Sequence, residues 1–366
     1  MSNWIEKYAD LLLVNYCLYL TEGQKVYLRT TSLAEPLVQA FYQEAVKKGA
    51  LVDIELSFEN QEEILQHYGS ELQLKHTNKN SLELIKTCDA YLFIRAPFLP
   101  NKNLTTTKEK NELRVAANAE FQKIYFERLG NKSLKRSLCQ FPTQFSANQA
   151  GMSLDEYTEF VKNACFLNTE DPATSWINIG LYQQKIVDHL NQVKHMSYVH
   201  PKFKIEFNVN GRTWINSDGK SNMPSGEVFT SPIEDSVEGE IYFDMPSFQL
   251  GRDVSGITLQ VKSGEIISYH AEVGNEVLDE VFAIPGARRF GEVAIGTNMN
   301  IQRATKNILF DEKIGGTVHM AIGQSYLQCG GKNESAIHWD LITNMRNGGE
   351  IYADGKCIYK NGNFLI

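Results

Sequence analysis

The sequence is short of most features that would assign a class at once. Its six cysteines (Cys17, Cys88, Cys139, Cys165, Cys329 and Cys357) lie far apart among 366 residues, and none belongs to a CxxC pair. That argues against a disulfide framework and points to reduced thiols in a cytoplasmic protein. No stretch comes near the roughly 20 apolar residues that a membrane span requires, so no membrane partner is expected. The opening residues, MSNWIEKYADLLL, carry acids inside the apolar run and no small-residue cleavage site, so they do not read as a signal peptide. Positive charge is not in excess: 36 Lys and Arg against 44 Asp and Glu give a formal −8, which argues against a nucleic-acid partner. Low-complexity tracts and internal repeats are absent. So are the GxGxxG and GxxxxGK(S/T) turns, and no nucleotide cofactor is expected.

What is present is ordinary globular composition, 42% apolar and 22% charged, in a chain long enough for two domains. The first half alternates strand and helix patterns. Ile5, Tyr8, Leu11, Leu12 and Tyr16 predict an amphipathic helix over residues 1–20. KVYLRT (25–30) reads as a strand. Ser32 to Glu35 reads as a capping box opening a helix that stops at Gly49, and 50–57 as the next strand. AYLFI (90–94) has the apolar run of a strand buried on both faces. Helices are predicted over 61–68, 81–87, 107–121 and 174–193, with KIYF (123–126) as another strand. Ser153 to Glu156 is a second capping box, opening a helix through Cys165. The expectation is a doubly wound α/β domain over residues 1–195, serving as scaffold and channel wall.

From about residue 200 the period changes to two. Phe203, Ile205, Phe207 and Val209 alternate with polar residues and lead to a hairpin-type turn at Asn210-Gly211. Ile257, Leu259 and Val261, then Ser263-Gly264, then Ile267, Tyr269 and Ala271 read as a second hairpin, and Asp354-Gly355 marks a third. A short helix fits Asn275–Phe282. Residues 196–366 are therefore expected to form an α+β domain rich in antiparallel strands.

Four stretches of that domain, SDGKSNMPSGEVFTSP, GARRFGE, ILFDEKIGGTVHMAIGQSY and SAIHWD, carry the chemistry. They supply Glu227, Glu292, Glu312, His319, His338 and Asp340, the oxygen and nitrogen donors that hydrolytic divalent metals take, together with Tyr326. His338 and Asp340 share one side of an extended segment. Each residue alone has a plainer reading. Glu227 can be an exposed turn glutamate, Glu292 an ion-pair partner of Arg288 or Arg289, and Glu312 part of a solvated charged triplet. His319 can be a hydrogen-bonded core residue and Tyr326 an interior phenol. The case for a two-metal site is cumulative, because every cluster falls in one domain on strand starts and glycine turns. His67 and His76 fall in polar, surface-like helical patterns, His189 lies late in a helix where it favours the dipole, and His195, His200 and His270 have no carboxylate pattern around them, so all six read as structural.

The strings SDGKSNMPSGEVFTSPIEDSVEGEIYF, GARRFGE, NILFDEKIGGTVHMAIGQSY and GGKNESAIHWD closely resemble the aminopeptidase T / aminopeptidase S family of dinuclear metallopeptidases, and FPTQFSANQAGMSLDEYTEFVKNACFLN extends the likeness into the first half. The resemblance implies a cytoplasmic homodimer whose subunits combine an N-terminal α/β domain with a catalytic domain binding two divalent ions (Zn, Co or Mn). It implies Glu227, Glu292 (between the two metals), Glu312, His319, His338 and Asp340 as ligands, and Tyr326 as a catalytic residue. The implied reaction is removal of the N-terminal residue from a peptide with a free amino end. A ligand carboxylate, Glu292 or Glu312, is the candidate base. Another metal-dependent amidohydrolase, a carboxypeptidase and a non-enzymatic binding module are the rivals.

Overall fold

The computed structural model describes residues 3–366. The chain forms two compact units, Met1–Trp176 with Gly219–Pro224, and Ile177–Asp218 with Ser225–Ile366. Among the described residues, no helix is long and apolar enough to cross a membrane.

The first unit is built on a five-stranded sheet ordered Leu51–Ser57, Lys25–Thr31, Ala90–Arg95, Lys135–Gln140 and Asn222–Met223. All its pairings are parallel. The direction of growth reverses between Lys25–Thr31 and Ala90–Arg95, as in a doubly wound sheet. The apolar strand at its centre, Ala90–Arg95, is mostly buried, whereas the edge strand Leu51–Ser57 has no fully buried residue.

Three expectations for this unit need correction. KIYF is not a strand: it lies inside the helix Lys108–Gly130. Phe121, Ile124, Tyr125 and Leu129 recur at helical spacing and pack on Tyr27, Ile85 and Tyr91, so the helical face wins over local β-propensity. The strand that follows is Lys135–Gln140, too polar at its start to stand out. Ser32 caps nothing. It opens a 3-10 turn, Ser32–Ala34, and the helix Glu35–Lys47 begins after it with Pro36 in its first turn and no side-chain cap. The helix expected over 1–20 is shorter. Residues 1 and 2 lie outside the described residues, Asn3 caps Trp4–Asp10, and the chain then widens into a π-helical turn, Leu11–Asn15. Leu11, Leu12 and Leu13 are all buried, which one face of a regular helix does not allow.

The second unit carries two antiparallel sheets. The larger has nine strands, among them His195–His200, Phe203–Asn208, Glu238–Phe243, Arg252–Lys262, Glu265–Val273 and Glu350–Ala353. The smaller has five, ordered His338–Asn344, Thr317–Gly323, Phe290–Gly296, Glu227–Thr230 and Ile215–Ser217. One core joins them: Val293, Ile295, Val318, Met320 and Leu341 of the smaller sheet pack with Tyr198, Ile205, Phe207, Ile241 and Leu259 of the larger. Hairpins turn at Ser263-Gly264 and Asp354-Gly355, where all four residues have positive φ, as the tight primed turns require. A bulge at Gln260/Val261 shifts the first of these, so Ile266 faces the core and Ile267 faces out. The turn at Asn210-Gly211 forms but makes no hairpin. It hands the chain from Phe203–Asn208 in the larger sheet to Ile215–Ser217 in the smaller.

The two predicted capping boxes thus separate. Ser153 Oγ accepts from Glu156 N at 3.2 Å, and Glu156 Oε2 accepts from Ser153 N at 2.8 Å. Ser153→Ala is expected to lower stability by about 1 kcal/mol, and Ser32→Ala to change it by less than about 0.5 kcal/mol. Thermal denaturation of both variants checks this; equal losses refute the assignment.

Candidate metal centre

The smaller sheet of the second unit has an apolar face turned to the core and a second face on which the candidate residues stand. Alternation along the strands and register across them produce that second face. On Thr317–Gly323, Val318, Met320 and Ile322 enter the core while His319 and Ala321 point the other way. Ala321 lies opposite Glu292 on one neighbour and Asp340 on the other, and His319 lies opposite Ala294. A bulge between Phe290 and Glu292 sets the glutamate into this register. Ala294 pairs in turn with Phe229, and Gly296 with Glu227. The small side chains of Ala294 and Ala321 leave room between the donors.

Glu227 begins its strand on a turn that only glycine permits. Gly226 has φ +117°, and a Cβ there would lie 2.6 Å from Asn298 Cβ. Asn298 Nδ2 donates to Ser225 O at 2.9 Å, and Gln183 Nε2 donates to Glu227 O at 2.8 Å. The strand start is therefore held from two sides.

The structure brings the six candidate ligands together. His319 is fully buried, its Nε2 3.5 Å from Glu227 Oε2, 3.7 Å from Glu292 Oε1 and 4.0 Å from Asp340 Oδ1. His338 Nε2 lies 3.0 Å from Glu292 Oε2 and 3.5 Å from Asp340 Oδ1, while its Nδ1 is 2.7 Å from Gln324 O. That second contact fixes the ring with Nε2 toward the acids. Glu312 follows the short helix Ile308–Asp311 and joins Glu227 and His319 in one donor group; Glu292, His319 and Asp340 make another. Tyr326 stands at the rim, 38% exposed, its hydroxyl 3.5 Å from His338 Nε2 and its ring against Phe229. The plainer reading of Glu292 fails: Arg288 donates to Ile266 O and Arg289 to Glu234 O.

The electrostatics follow from burial and crowding. Burial pulls the His338 imidazole down, but Asp340 and Glu292 overcome it and raise its pKa to about 11. Burial pushes Asp340 up, and His338 and His319 bring it down to about 2. His319 is also raised, against its burial, by Glu292 and Glu227. The Tyr326 phenol is pushed far up, first by desolvation and then by Glu292 and Asp340.

A metal fits this donor set. Glu227 Oε2, Asp340 Oδ1 and both His319 ring nitrogens are buried with no hydrogen-bond partner. Buried polar atoms are almost always satisfied, and three of these, Glu227 Oε2, Asp340 Oδ1 and His319 Nε2, face one another within 4.0 Å of the ring nitrogen, as the donors of a cation would. One residue at the centre was not foreseen: Lys313, fully buried, whose Nζ lies 3.1 Å from Glu227 Oε1 and also contacts Glu312 Oε1. In sequence it sits in a charged triplet, Asp311-Glu312-Lys313, which reads as solvent-facing; the apolar Ile314 after it was the only hint.

Comparison with known proteins agrees with this chemistry. Aminopeptidase 2 of Geobacillus stearothermophilus is 26% identical over 100% of this chain and 99% of its own length. Aminopeptidase AmpS of Bacillus subtilis (strain 168) is 30% identical over 57% of this chain and 58% of its own. Aminopeptidase T of Thermus aquaticus is 32% identical over 37% and 36%. The solved structure of wild-type AmpT from Thermus thermophilus has the same fold, with a TM-score of 0.83 and 23% identity over 99% of both chains. Residues 1–364 match the sequence model of the family described as thermophilic metalloprotease (M29), and the chain belongs to that family of peptide-bond hydrolases.

Proposed function

We propose that the protein is an aminopeptidase that removes the first residue from peptides with a free amino end, using two divalent ions. Zn, Co and Mn all accept this donor set. The convergence of buried, unpartnered ligand atoms on Glu227, His319 and Asp340 carries the reading. A full-length relative that is an aminopeptidase supports the substrate class. Charge supports two ions. Glu227, Glu292, Glu312 and Asp340 contribute −4 and Lys313 +1, so with neutral imidazoles the centre stands at −3. One divalent ion leaves it negative, and two bring it to +1.

Glu227, Glu292, Glu312, His319, His338 and Asp340 would hold the ions. Bound there, such ions supply Lewis acidity toward a carbonyl and bring the pKa of water toward neutrality. Glu292, flanked by both imidazoles, is the carboxylate positioned to accept a proton from that water. The Tyr326 phenol, at the rim and strongly protonated, donates a hydrogen bond to the oxygen that becomes negative as the carbonyl turns tetrahedral. The free α-amino group of the substrate would bind one of the ions or one of the carboxylates, which favours cleavage at the amino end. The reading extends to a cytoplasmic homodimer, with residues 196–366 as the catalytic domain; six free cysteines suit a reducing compartment.

Three outcomes are expected. Chelation abolishes release of free amino acids from an aminoacyl-p-nitroanilide, re-addition of Zn, Co or Mn restores it, and elemental analysis finds two ions per chain; a fully folded, active protein without metal sinks the proposal. Tyr326→Phe lowers kcat by about 100- to 1,000-fold with metal content and melting temperature unchanged; loss of bound metal in that variant refutes the role given to the phenol. N-terminally acetylated peptides resist cleavage, and their hydrolysis would favour a carboxypeptidase or amidohydrolase instead.

A further inference from the structure

Among the described residues, Lys313 is the one cation fixed within the centre by covalent structure. It has no exposed surface, and a lysine is almost never so deeply buried unless paired. Its ammonium meets Oε1 of Glu227 and Oε1 of Glu312, two of the three members of one donor group. The other oxygen of Glu227 stays unpartnered and lies 3.5 Å from His319 Nε2. The other donor group is arranged differently. The ion-pair contacts of Glu292 and Asp340 there are to imidazoles, and Lys313 acts on Asp340 only from beyond ion-pair distance.

The backbone of Lys313 is pinned as well. Its carbonyl accepts from Asn298 N at 3.0 Å and its N–H donates to Phe310 O at 3.1 Å. Asn298 in turn ties to Ser225 and to Gly315, whose N–H donates to Asn298 O at 2.9 Å. The residue is thus anchored to the same turn that carries Glu227. An ammonium held this way performs two opposed services. It relieves repulsion between two acids before any ion arrives, and it repels an ion that comes to share them.

We infer that Lys313 is a built-in counter-cation that makes the Glu227–Glu312 half of the centre the weaker ion position, so that the protein loads in two steps, tight and then weak. The inference rests on the two-ion reading above. Lys313 is a positioning residue: it acts through Glu227 and Glu312 and touches no reacting atom.

Titration of the metal-free full chain with Zn²⁺ by calorimetry, and with Co²⁺ by visible absorption, tests it. The wild type should show two binding steps. Lys313→Met should tighten the weaker step at least tenfold and lower the melting temperature of the metal-free form far more than that of the loaded form. An unchanged weak step with equal losses of melting temperature in both forms overturns the inference and leaves a structural lysine. A weaker step in the variant overturns it in favour of a residue that only orients the acids. If Lys313→Met does not fold without metal, Glu312→Gln decides. It should delete the weak step alone, and loss of the tight step overturns the inference. Failure of the wild type to bind any ion sinks the two-ion reading itself, whereas two equal steps sink only the role of Lys313.

Discussion

Four carboxylates held out of water within reach of one imidazole repel one another, and this repulsion is the constraint that the second unit is organised to withstand. Three of the four are carried by strands, and Glu312 follows the short helix Ile308–Asp311. Glu227, Glu292 and Asp340 sit on three strands of one sheet, so their spacing is set by the ladder and cannot relax by drifting apart. The opposite face of that sheet is the apolar core shared with the nine-stranded sheet. Moving any of these acids toward solvent would drag Val293, Val228 or Leu341 out of that core, at roughly 1.5–3 kcal/mol for each side chain exposed.

The same ladder explains why the donors are few and the space between them is real. Strand pairing brings Ala321 between Glu292 and Asp340, and Ala294 beside His319. Larger residues at either place would fill the volume that a cation needs. Glycine has a comparable role at position 226, where positive φ and contact with Asn298 turn the chain so that the next side chain enters the cluster. Donor identity and donor placement are thus specified by different residues: acids and imidazoles supply chemistry, while alanine and glycine supply room and direction.

This division shows what was legible in the sequence. Glu292 heads the apolar Val293-Ala294-Ile295, and His319 is flanked by Val318, Met320, Ala321 and Ile322; both runs are buried strands in the fold, and a polar donor inside such a run is conspicuous in sequence. His338 and Asp340 read correctly as one face because period two needs no tertiary information. Lys313 was not legible: a lysine beside two acids has the signature of a solvated loop, and only the fold shows that the loop is pulled under Asn298. KIYF failed for a related reason. Four residues of high strand propensity cannot reveal that Phe121 and Leu129, outside the window, complete a helical stripe over Tyr91. The bulges at Gln260/Val261 and Phe290/Glu292 were equally silent, since a one-residue shift of register leaves composition untouched.

The counter-charges in the centre are of two kinds, and the difference bears on how it fills. The acids around them raise both imidazoles, His338 to about 11 and His319 against its burial, so a proton on His338 balances part of the negative charge. A nitrogen that becomes a metal ligand must give its proton up, so loading the centre exchanges protons for metal ions. The ammonium of Lys313 is not needed as a ligand and can stay where it is, between Glu227 and Glu312. On the two-ion reading proposed above, one part of the centre would discard its compensating charge on binding, and the other would bind in the presence of it. A symmetric set of donors would lack that distinction; here it follows from one buried side chain and the turn that anchors it.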